Sequence, residues 1–267
     1  MKAVVLARGS GTRMRRADRD AAISAAQSDM ADAGLKAMIP FGRPFLDYVL
    51  SSLADAGCRE ICLVLAPDDR VIRPYYAQAR LERVTLAFAV QQEPKGSADA
   101  VVSAEPFAGG DPFLVLNSDN LYPVEALRAI AALDGPGLPA FRRSALVAKG
   151  NIDPERVRAF AIVTIAPDGT VSDIIEKPDA ATVAAMGADF HVSMNCWRFD
   201  RGIFDACRAV APSPRGELEL PNAVRHAVTV MRRRYVAVPI DAGVLDLSRR
   251  SDIPEVERRL AGVEARP

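Results

Sequence analysis

The first sixteen residues join a short apolar run to a loop rich in glycine and arginine. The run at residues 3–7 predicts a buried parallel strand, because such strands are apolar on both faces. Gly9 and Gly11 follow at once, and they let the backbone approach a ligand closely. Free N–H groups in a loop of this kind, with arginines around them, bind phosphate groups well. The sequence therefore predicts a polyphosphate site at the carboxyl end of the first strand.

Other glycine-containing motifs fit this segment less well. A plain turn remains the alternative to a phosphate loop, although four arginines between positions 8 and 16 favour an anionic ligand. A dinucleotide-binding fingerprint needs a third glycine where Met14 stands. A Walker-type loop needs a Gly-Lys-Ser/Thr string that the chain lacks. A nicotinamide-dependent oxidoreductase and a P-loop ATPase are therefore disfavoured.

Composition limits the partners of the chain. Basic and acidic residues balance at 34 each, so no overall field attracts nucleic acid. The longest apolar runs are too short to span a bilayer, and the amino terminus has no signal-peptide pattern. The four cysteines form no Cys-x-x-Cys pair, so we expect reduced cysteines in the core rather than a zinc site. We predict a cytoplasmic protein without nucleic-acid or membrane partners, and a homo-oligomer is left open.

Strand and helix patterns alternate along residues 1–135. Helices are predicted at 21–33, 44–56, 71–79, 97–104 and 124–133, and further strands at 61–66, 84–90 and 112–116. This order predicts an α/β fold with a Rossmann-like, doubly wound and mainly parallel sheet. Ligands of such sheets bind at the carboxyl ends of the strands, here residues 8–16, 91–96 and 117–120.

Residues 136–267 show more β-branched alternation, with strands predicted at 144–148, 160–165, 171–175, 192–199 and 235–239. Helices are predicted at 202–209, 217–230 and 253–261. We interpret this half as a mixed or antiparallel extension of the same sheet that holds a second substrate. The prediction is one domain with a nucleotide-binding half and a second-substrate half.

Three further places carry polar groups suited to chemistry. Asp119 follows a predicted strand and Asp246 follows another apolar stretch, and two carboxylates beside a phosphate loop suit Mg²⁺. Asp119 could instead cap the next helix. Gln91 can pair with a base edge while Gly96 lies against the ring, although this segment taken alone is better explained as an ordinary strand-to-helix turn. Residues 176 and 177 form a Glu-Lys pair. If the strand continues, their side chains point to opposite faces and one of them can face the pocket; the alternative is an ordinary surface pair.

In their chain order, these motifs resemble those of the sugar-1-phosphate nucleotidyltransferases of the GT-A type, which include glucose-1-phosphate thymidylyl- and uridylyltransferases. The resemblance covers nearly the whole chain. It rests on residues 6–13 as the signature loop, 36–40 as the lysine segment, 91–100 as the base-binding turn, 118–120 as the metal motif, 176–178 as the sugar-phosphate motif and 215–219 as a string common in the thymidylyl branch.

The resemblance implies a role for each matched residue. The nucleoside triphosphate would bind Leu6, Ala7, Gly9, Ser10, Gly11, Thr12, Arg13, Gln91, Gly96 and Ser97. The sugar-1-phosphate would bind Asn120, Ala161, Glu176, Lys177 and Asn195. The catalytic residues would be Arg13, Lys36, Asp119 and Lys177, and Mg²⁺ would bind Asp119 and Asp246, with Asp241 as the alternative to Asp246. The turn at Gln91 resembles the uridylyl and thymidylyl branches, so a pyrimidine triphosphate is expected.

The chain departs from the family pattern at two places. Arg8 replaces a small residue and is expected to add a fixed charge beside the phosphates. Lys36 lies farther from Arg13 than is usual, and the intervening residues 17–35 form either a mobile lid or a permanently docked helix. A non-catalytic protein that binds nucleotide sugars is the alternative function.

Overall fold

The computed structural model describes residues 1–18 and 21–267, and its centre is a mixed sheet with helices on both faces. The strands are β1 Lys2–Leu6, β2 Pro40–Phe41, β3 Arg43–Pro44, β4 Glu60–Leu65, β5 Thr85–Val90, β6 Phe113–Asn117, β7 Asn120–Leu121, β8 Gly137–Arg142, β9 Ala161–Ile165, β10 Val171–Ile175, β11 His191–Ser193, β12 Trp197–Phe199, β13 Val236–Ile240 and β14 Leu245–Asp246.

The α-helices are α1 Ala25–Asp32, α2 Phe45–Asp55, α3 Ile72–Gln78, α4 Ser97–Ser103, α5 Glu105–Ala108, α6 Val124–Ala131, α7 Arg143–Lys149, α8 Ala180–Ala185, α9 Gly202–Ala209, α10 Leu220–Thr229 and α11 Ile253–Leu260. Short 3-10 helices occupy Lys36–Met38, Pro154–Ala159 and Arg250–Asp252. The main sheet has the strand order β10-β9-β11-β8-β12-β6-β1-β4-β5, and β13 pairs with β8.

In the main sheet, the first-half strands β1, β4, β5 and β6 are parallel, and their register aligns their carboxyl ends. Leu6, the last residue of β1, pairs with Val64 on one side and with Asn117 on the other. Ala3 and Val5 pack into the core on one face of the sheet, whereas Val4 packs into the core on the opposite face. This burial on both faces explains why β1 reads as a continuous apolar run. The aligned ends bring three loops to one edge of the sheet.

The second half extends the sheet with mostly antiparallel strands. β12 pairs antiparallel with β6, and β11 joins β8 to β9 in the same sense. β13 returns beside β8 in the parallel direction, which makes the sheet mixed. The predicted α/β fold with a mixed, mainly parallel sheet is therefore confirmed.

One predicted strand of the second half is wrong. Residues 144–148 belong to helix α7, and the strand lies earlier, at β8. Strand β8 was not predicted because it contains Gly137 and Pro139, and both residue types are depleted in strands. The short apolar run of α7 could not be distinguished from a strand by its periodicity. Pairing with β11 and β13 places β8 in the sheet.

Two other predicted boundaries change. The strand expected at 192–199 is divided into β11 and β12 by a turn at Asn195, whose φ of 56° lies in the left-handed region. The helix expected at 21–33 begins only at Ala25, because the Ser24 side chain accepts a hydrogen bond from the Gln27 N–H and caps it. Gly34 follows the end of α1 with a φ of +73°, as expected for a helix-terminating glycine.

The composition-based expectations concern cysteines and membranes. Cys58, Cys62, Cys196 and Cys207 are all free and buried, and burial raises the pKa of each thiol. They are therefore core residues, as expected. Within the described residues, no helix combines the length and the apolar character needed to cross a membrane. The cytoplasmic location stays a prediction.

Candidate active site

A cavity of about 320 Å³ opens at the carboxyl ends of β1, β5 and β6. Its walls come from the loop after β1, the segment at Lys36, the turn after β5 and the residues that follow β6. Half of the residues predicted from the sequence line it: Leu6, Ala7, Gly9, Ser10, Lys36, Gln91, Gly96, Ser97 and Asp119. The aligned strand ends thus bring four distant segments to one site.

The loop after β1 presents backbone donors at this cavity. Among the described residues, the N–H groups of residues 9–12 donate to no other protein group. Gly11 has a φ of +62°, and a Cβ there would lie 2.2 Å from the carbonyl oxygen of Gly34. Gly11 is therefore required by its packing against Gly34, while Gly9 has open space around it. The free donors make a site for an anion.

Arg250 holds this loop from behind. Its Nε donates to the carbonyl oxygens of Met14 at 3.0 Å and Arg16 at 3.1 Å. Its Nη1 donates to Ser28 Oγ at 3.2 Å, and its Nη2 pairs with Asp32. Because Ser28 and Asp32 belong to α1, the buried Arg250 guanidinium joins the loop after β1 to this helix.

Helix α1 is docked onto the body of the protein. Gln27 is 2% exposed, and its Nε2 donates to the Pro40 carbonyl oxygen at 3.1 Å and to Glu257 Oε1 at 3.2 Å. Arg15 Nη2 donates to the carbonyl oxygen of Ala33 at 2.9 Å, just beyond the helix. Positions 19 and 20 of the inserted segment lie outside the described residues. Movement of α1 on substrate binding stays a prediction.

Two aspartates and a lysine meet beside the cavity. The Lys36 ammonium pairs with the Asp119 carboxylate despite the inserted segment before it. Asp246 lies opposite Asn120 in the β7–β14 pair, and the Leu247 N–H donates to the Asp119 carbonyl oxygen at 2.9 Å. This short pair of strands places Asp246 next to Asp119.

Asp246 is enclosed by polar partners. It is 2% exposed and accepts from Asn120 Nδ2 at 2.9 Å and from Ser248 Oγ at 3.0 Å, while Arg156 pairs with its other oxygen. Burial, followed by the charge of Asp119, raises the pKa of Asp246 to about 6, against the opposing effect of Arg156. The Asn120 amide, expected at the sugar phosphate, thus orients Asp246.

Asp241, the alternative second metal ligand, lies elsewhere. It is exposed, and it pairs with Lys149 at 3.1 Å on the surface. No group of three or more metal-ligating side chains occurs in the described part of the chain. Asp119 and Asp246 nevertheless fit Mg²⁺, which takes one or two carboxylates and completes its shell with phosphate oxygens and water. Asp119 Oδ1 accepts no hydrogen bond from the described residues.

The turn after β5 holds the Gln91 amide in a fixed position. Gln91 is 3% exposed, and its Nε2 donates to the Gly96 carbonyl oxygen at 2.9 Å and to Asp99 Oδ2 at 2.8 Å. Gly96 packs so closely on Leu218 that a Cβ would lie 2.4 Å from the Leu218 carbonyl oxygen. Arg8 Nε donates to the Gln91 carbonyl oxygen at 2.8 Å. The Arg8 guanidinium thus contacts the turn after β5, and Arg8 also lines the cavity, so its expected place beside the phosphates stays a prediction.

Glu176 and Lys177 form a second polar cluster with Glu219. Strand β10 ends at Ile175, and Lys177 has a φ of 46°, so the strand does not continue and the condition for the pair to point to opposite faces is not met. Lys177 Nζ lies 3.1 Å from Glu176 Oε1 and 3.4 Å from Glu219 Oε1. Burial is the main cause that raises the pKa of Glu176 to about 7. Burial also acts to raise the pKa of Glu219, but hydrogen bonds from Arg215 and Glu176 outweigh it, so the pKa of Glu219 is lowered.

The remaining predicted residues lie outside the first cavity. Arg13 lines a second cavity of about 610 Å³ together with Arg158, Arg249 and Phe160. Asn195 Oδ1 is buried without a hydrogen-bond partner among the described residues. The others that do not line the first cavity are Gly11, Thr12, Asn120, Ala161, Glu176, Lys177 and Asp246.

Sequence reasoning missed four residues that hold the site together. Asp99 fixes Gln91, Arg156 pairs with Asp246, Glu219 pairs with Lys177, and Arg250 holds the loop after β1. Glu219 ends the string at 215–219, so a signal for it existed. Asp99, Arg156 and Arg250 act through partners distant in the chain or through the orientation of a side chain, and no local sequence pattern indicates either.

Comparison with known proteins identifies the family. The sequence profile of the nucleotidyl transferase family matches residues 2–260. This chain belongs to the nucleotidyl transferase family. The resemblance to the sugar-1-phosphate nucleotidyltransferases is thereby confirmed, and with it the class of enzyme.

Individual relatives of this nucleotidyltransferase cover nearly its whole length. The UTP–glucose-1-phosphate uridylyltransferase AglF of Haloferax volcanii is 26% identical over 260 residues, which are 97% of this chain and 96% of the relative. A glucose-1-phosphate thymidylyltransferase of Xanthomonas campestris is 28% identical over 255 residues, which are 92% of this chain and 72% of the relative.

Solved structures of nucleotidyltransferases share the fold. A UDP-glucose pyrophosphorylase complexed with UDP-glucose matches with a TM-score of 0.75 at 17% identity, over 98% of this chain and 99% of that one. A UTP-bound UGPase from Acinetobacter baumannii matches with a TM-score of 0.72 at 18% identity, over 99% of this chain and 95% of that one. At such identities the similarity establishes the fold alone.

Proposed function

We propose that this nucleotidyltransferase condenses a pyrimidine nucleoside triphosphate with a sugar-1-phosphate, releasing pyrophosphate and a nucleoside-diphosphate sugar in an Mg²⁺-dependent reaction. The observation that carries the proposal is one cavity lined by a loop with free N–H groups, the Lys36–Asp119 pair and the Gln91 turn. The names of the Haloferax and Xanthomonas relatives, which mention UTP and glucose-1-phosphate, support this proposal.

The reaction requires positioning and charge stabilisation more than a protein nucleophile. A phosphate oxygen of the sugar-1-phosphate attacks the α-phosphorus, the new P–O bond forms, and the bond to the β-phosphate breaks with pyrophosphate as the leaving group. The free N–H groups at residues 9–12 would bind the phosphates from one side. Lys36 would contribute a positive charge from the other side. Both groups would stabilise negative charge that grows during the transfer.

Asp119 and Asp246 would hold the metal ion. When bound, Mg²⁺ supplies positive charge to the phosphate oxygens. Asn120, Ser248 and Arg156 hold Asp246 in place, so its carboxylate is oriented before the substrate arrives. Asp119 keeps one oxygen without a hydrogen bond in the described structure. We propose this pair, rather than Asp119 with Asp241, as the metal ligands.

The cluster at Lys177 would hold the sugar-1-phosphate. Lys177 Nζ is the cation of this cluster, and its carboxylate partners Glu176 and Glu219 are mostly buried. The carboxylates can accept hydrogen bonds from sugar hydroxyl groups, while the ammonium pairs with the phosphate. The unpartnered Oδ1 of Asn195 offers a further acceptor for a hydroxyl group. These groups all lie in the second half of the chain.

A panel of substrates tests the proposal. Pyrophosphate release should be measured for each of UTP, dTTP, CTP, GTP and ATP with several sugar-1-phosphates and Mg²⁺, with EDTA as the metal control. We expect turnover with UTP or dTTP that stops when EDTA is added. Tight binding of nucleotide sugars without pyrophosphate release across the panel would favour the non-catalytic alternative. Turnover with GTP or ATP as the best substrate would contradict the pyrimidine preference.

A further inference from the structure

We propose that Asp99 sets the base preference of the enzyme by locking the orientation of the Gln91 amide. The inference rests on the proposed function and deepens it at the base-binding end of the cavity. Asp99 does not line the cavity, so it acts through Gln91 as a positioning residue. The locked amide favours a base that carries an imino N–H and disfavours cytosine.

The hydrogen bonds of Gln91 define the orientation of its side chain. Nε2 has two hydrogens, and they go to the Gly96 carbonyl oxygen at 2.9 Å and to Asp99 Oδ2 at 2.8 Å. Both partners are hydrogen-bond acceptors, one a carbonyl oxygen and the other a carboxylate oxygen. A reversed amide would place Oε1 against two oxygens and would lose both bonds. The arrangement therefore permits one orientation of the amide.

The backbone of Gln91 is held as firmly as its side chain. The Gln91 N–H donates to the Leu65 carbonyl oxygen at 2.9 Å, and the Gln91 carbonyl oxygen accepts from Arg8 Nε at 2.8 Å. The remaining freedom is rotation of the side chain and its amide. Asp99, in the first turn of α4, removes that freedom by supplying the second acceptor.

The locked amide presents only an acceptor to the cavity. Gln91 lines the cavity, and its Oε1 accepts no hydrogen bond from any described residue. The imino N–H of uracil, thymine or guanine can donate to this oxygen. The corresponding ring nitrogen of cytosine or adenine is itself an acceptor, so it would face Oε1 without a hydrogen. Such a mismatch leaves a buried polar group unpaired and disfavours the base by about tenfold to hundredfold.

The test compares two substitutions of Asp99 by the ratio of kcat/KM for UTP to that for CTP, with one sugar-1-phosphate. Asp99→Ala removes one of the two acceptors, so a reversed amide loses only the bond to Gly96 and its NH₂ group can donate to cytosine. We expect this variant to lower the UTP:CTP ratio by at least tenfold. Asp99→Asn retains an acceptor oxygen and should keep the ratio within about threefold of the wild type. The Asn variant therefore serves as the conservative rescue.

The ratio separates a positioning role from a merely structural one. A structural defect would lower kcat/KM for both nucleotides equally, and an unchanged ratio in Asp99→Ala would overturn the proposal. Glu105→Ala provides the matched control, because Glu105 lies in the first turn of α5 and pairs with Arg208. We expect this control to leave the ratio unchanged.

If turnover is not detected, the affinities for UTP and CTP, measured by calorimetry, test the inference instead. Absence of pyrophosphate release with every substrate would contradict the proposed function, while a UTP:CTP affinity ratio that falls in Asp99→Ala would still support the role of Asp99. A wild-type protein that binds UTP and CTP equally would overturn the inference and leave the class of reaction untouched. A GTP preference that collapses in Asp99→Ala would support Asp99 and contradict the pyrimidine proposal.

Discussion

Replacing Arg250 with methionine would remove the group that joins the loop after β1 to helix α1. Arg250 is 6% exposed, and its guanidinium donates to the carbonyl oxygens of Met14 and Arg16 and to side chains of α1. Methionine has a similar length and can fill the volume of the arginine stem. The substitution therefore removes the donors while it largely preserves the packing.

The expected loss of stability in Arg250→Met follows from how exposed each hydrogen-bond partner of Arg250 is. Met14 is fully buried, so its carbonyl oxygen would lose a bond to a charged donor worth about 1.5 to 3 kcal/mol. Arg16 is exposed, and the Asp32 side chain is 65% exposed, so water can replace those contacts at a cost below about 1 kcal/mol in total. We expect a loss of about 2 to 4 kcal/mol in the free energy of unfolding. For a chain of this size that corresponds to a fall in Tm of roughly 4 to 16 °C.

Urea denaturation and steady-state kinetics together check this prediction. The KM for the nucleoside triphosphate should rise, because the loop N–H groups would no longer be held in one arrangement. Arg258→Met is the control, since Arg258 is 66% exposed on α11 and its pair with Glu255 lies at the surface. The control should leave the free energy of unfolding nearly unchanged, because water competes with exposed ion pairs. A Tm within 1 °C of the wild type and an unchanged KM in Arg250→Met would refute the assigned role.

Three further predictions concern the metal, the inserted helix and pH. Asp119→Asn and Asp246→Asn should each abolish turnover and leave the circular dichroism spectrum unchanged, whereas Asp241→Asn should retain most activity. Mg²⁺-dependent activity in Asp119→Asn would contradict the ligand assignment. Amides of residues 21–36 should resist hydrogen exchange even without substrate, because α1 is docked, and protection that appears only with UTP and Mg²⁺ would establish a lid instead. Burial raises the pKa of Glu176 to about 7 from its usual 4.5, so the folded state retains a proton that the unfolded chain releases. The free energy of unfolding should therefore fall as pH rises from about 4.5 to 7, and Glu176→Gln should reduce that fall in urea titrations; identical slopes would contradict the shift.

Local sequence patterns determined the first half of the fold and the nature of its loop. The buried strand β1 was visible because both of its faces are apolar, and Gly9 with Gly11 marked the turn that follows. Strand and helix periods then alternated clearly enough to predict a mainly parallel sheet with its site at the carboxyl ends. These features depend on neighbours within a few residues, which is the range over which a sequence pattern acts.

Short apolar runs of the second half could not be assigned in the same way. The run in α7 and the strand β8 have similar lengths, and the proline and glycine of β8 pointed away from a strand. Pairing with β11 and β13 decides which segment enters the sheet. That choice depends on hydrogen bonds to segments roughly 50 to 100 residues away, which propensity does not describe.

The choice between Asp241 and Asp246 shows the same division at the site. Both aspartates follow apolar residues, so the local pattern does not separate them, and the preference for Asp246 came only from the resemblance. The pairing of β14 with β7 places Asp246 beside Asp119, whereas Asp241 pairs with Lys149 at the surface. Sequence thus determined which residue types the site contains. Tertiary structure alone decided which of them meet, because partners such as Asp246 and Asp119 are separated by more than a hundred residues and are joined only by the folded sheet.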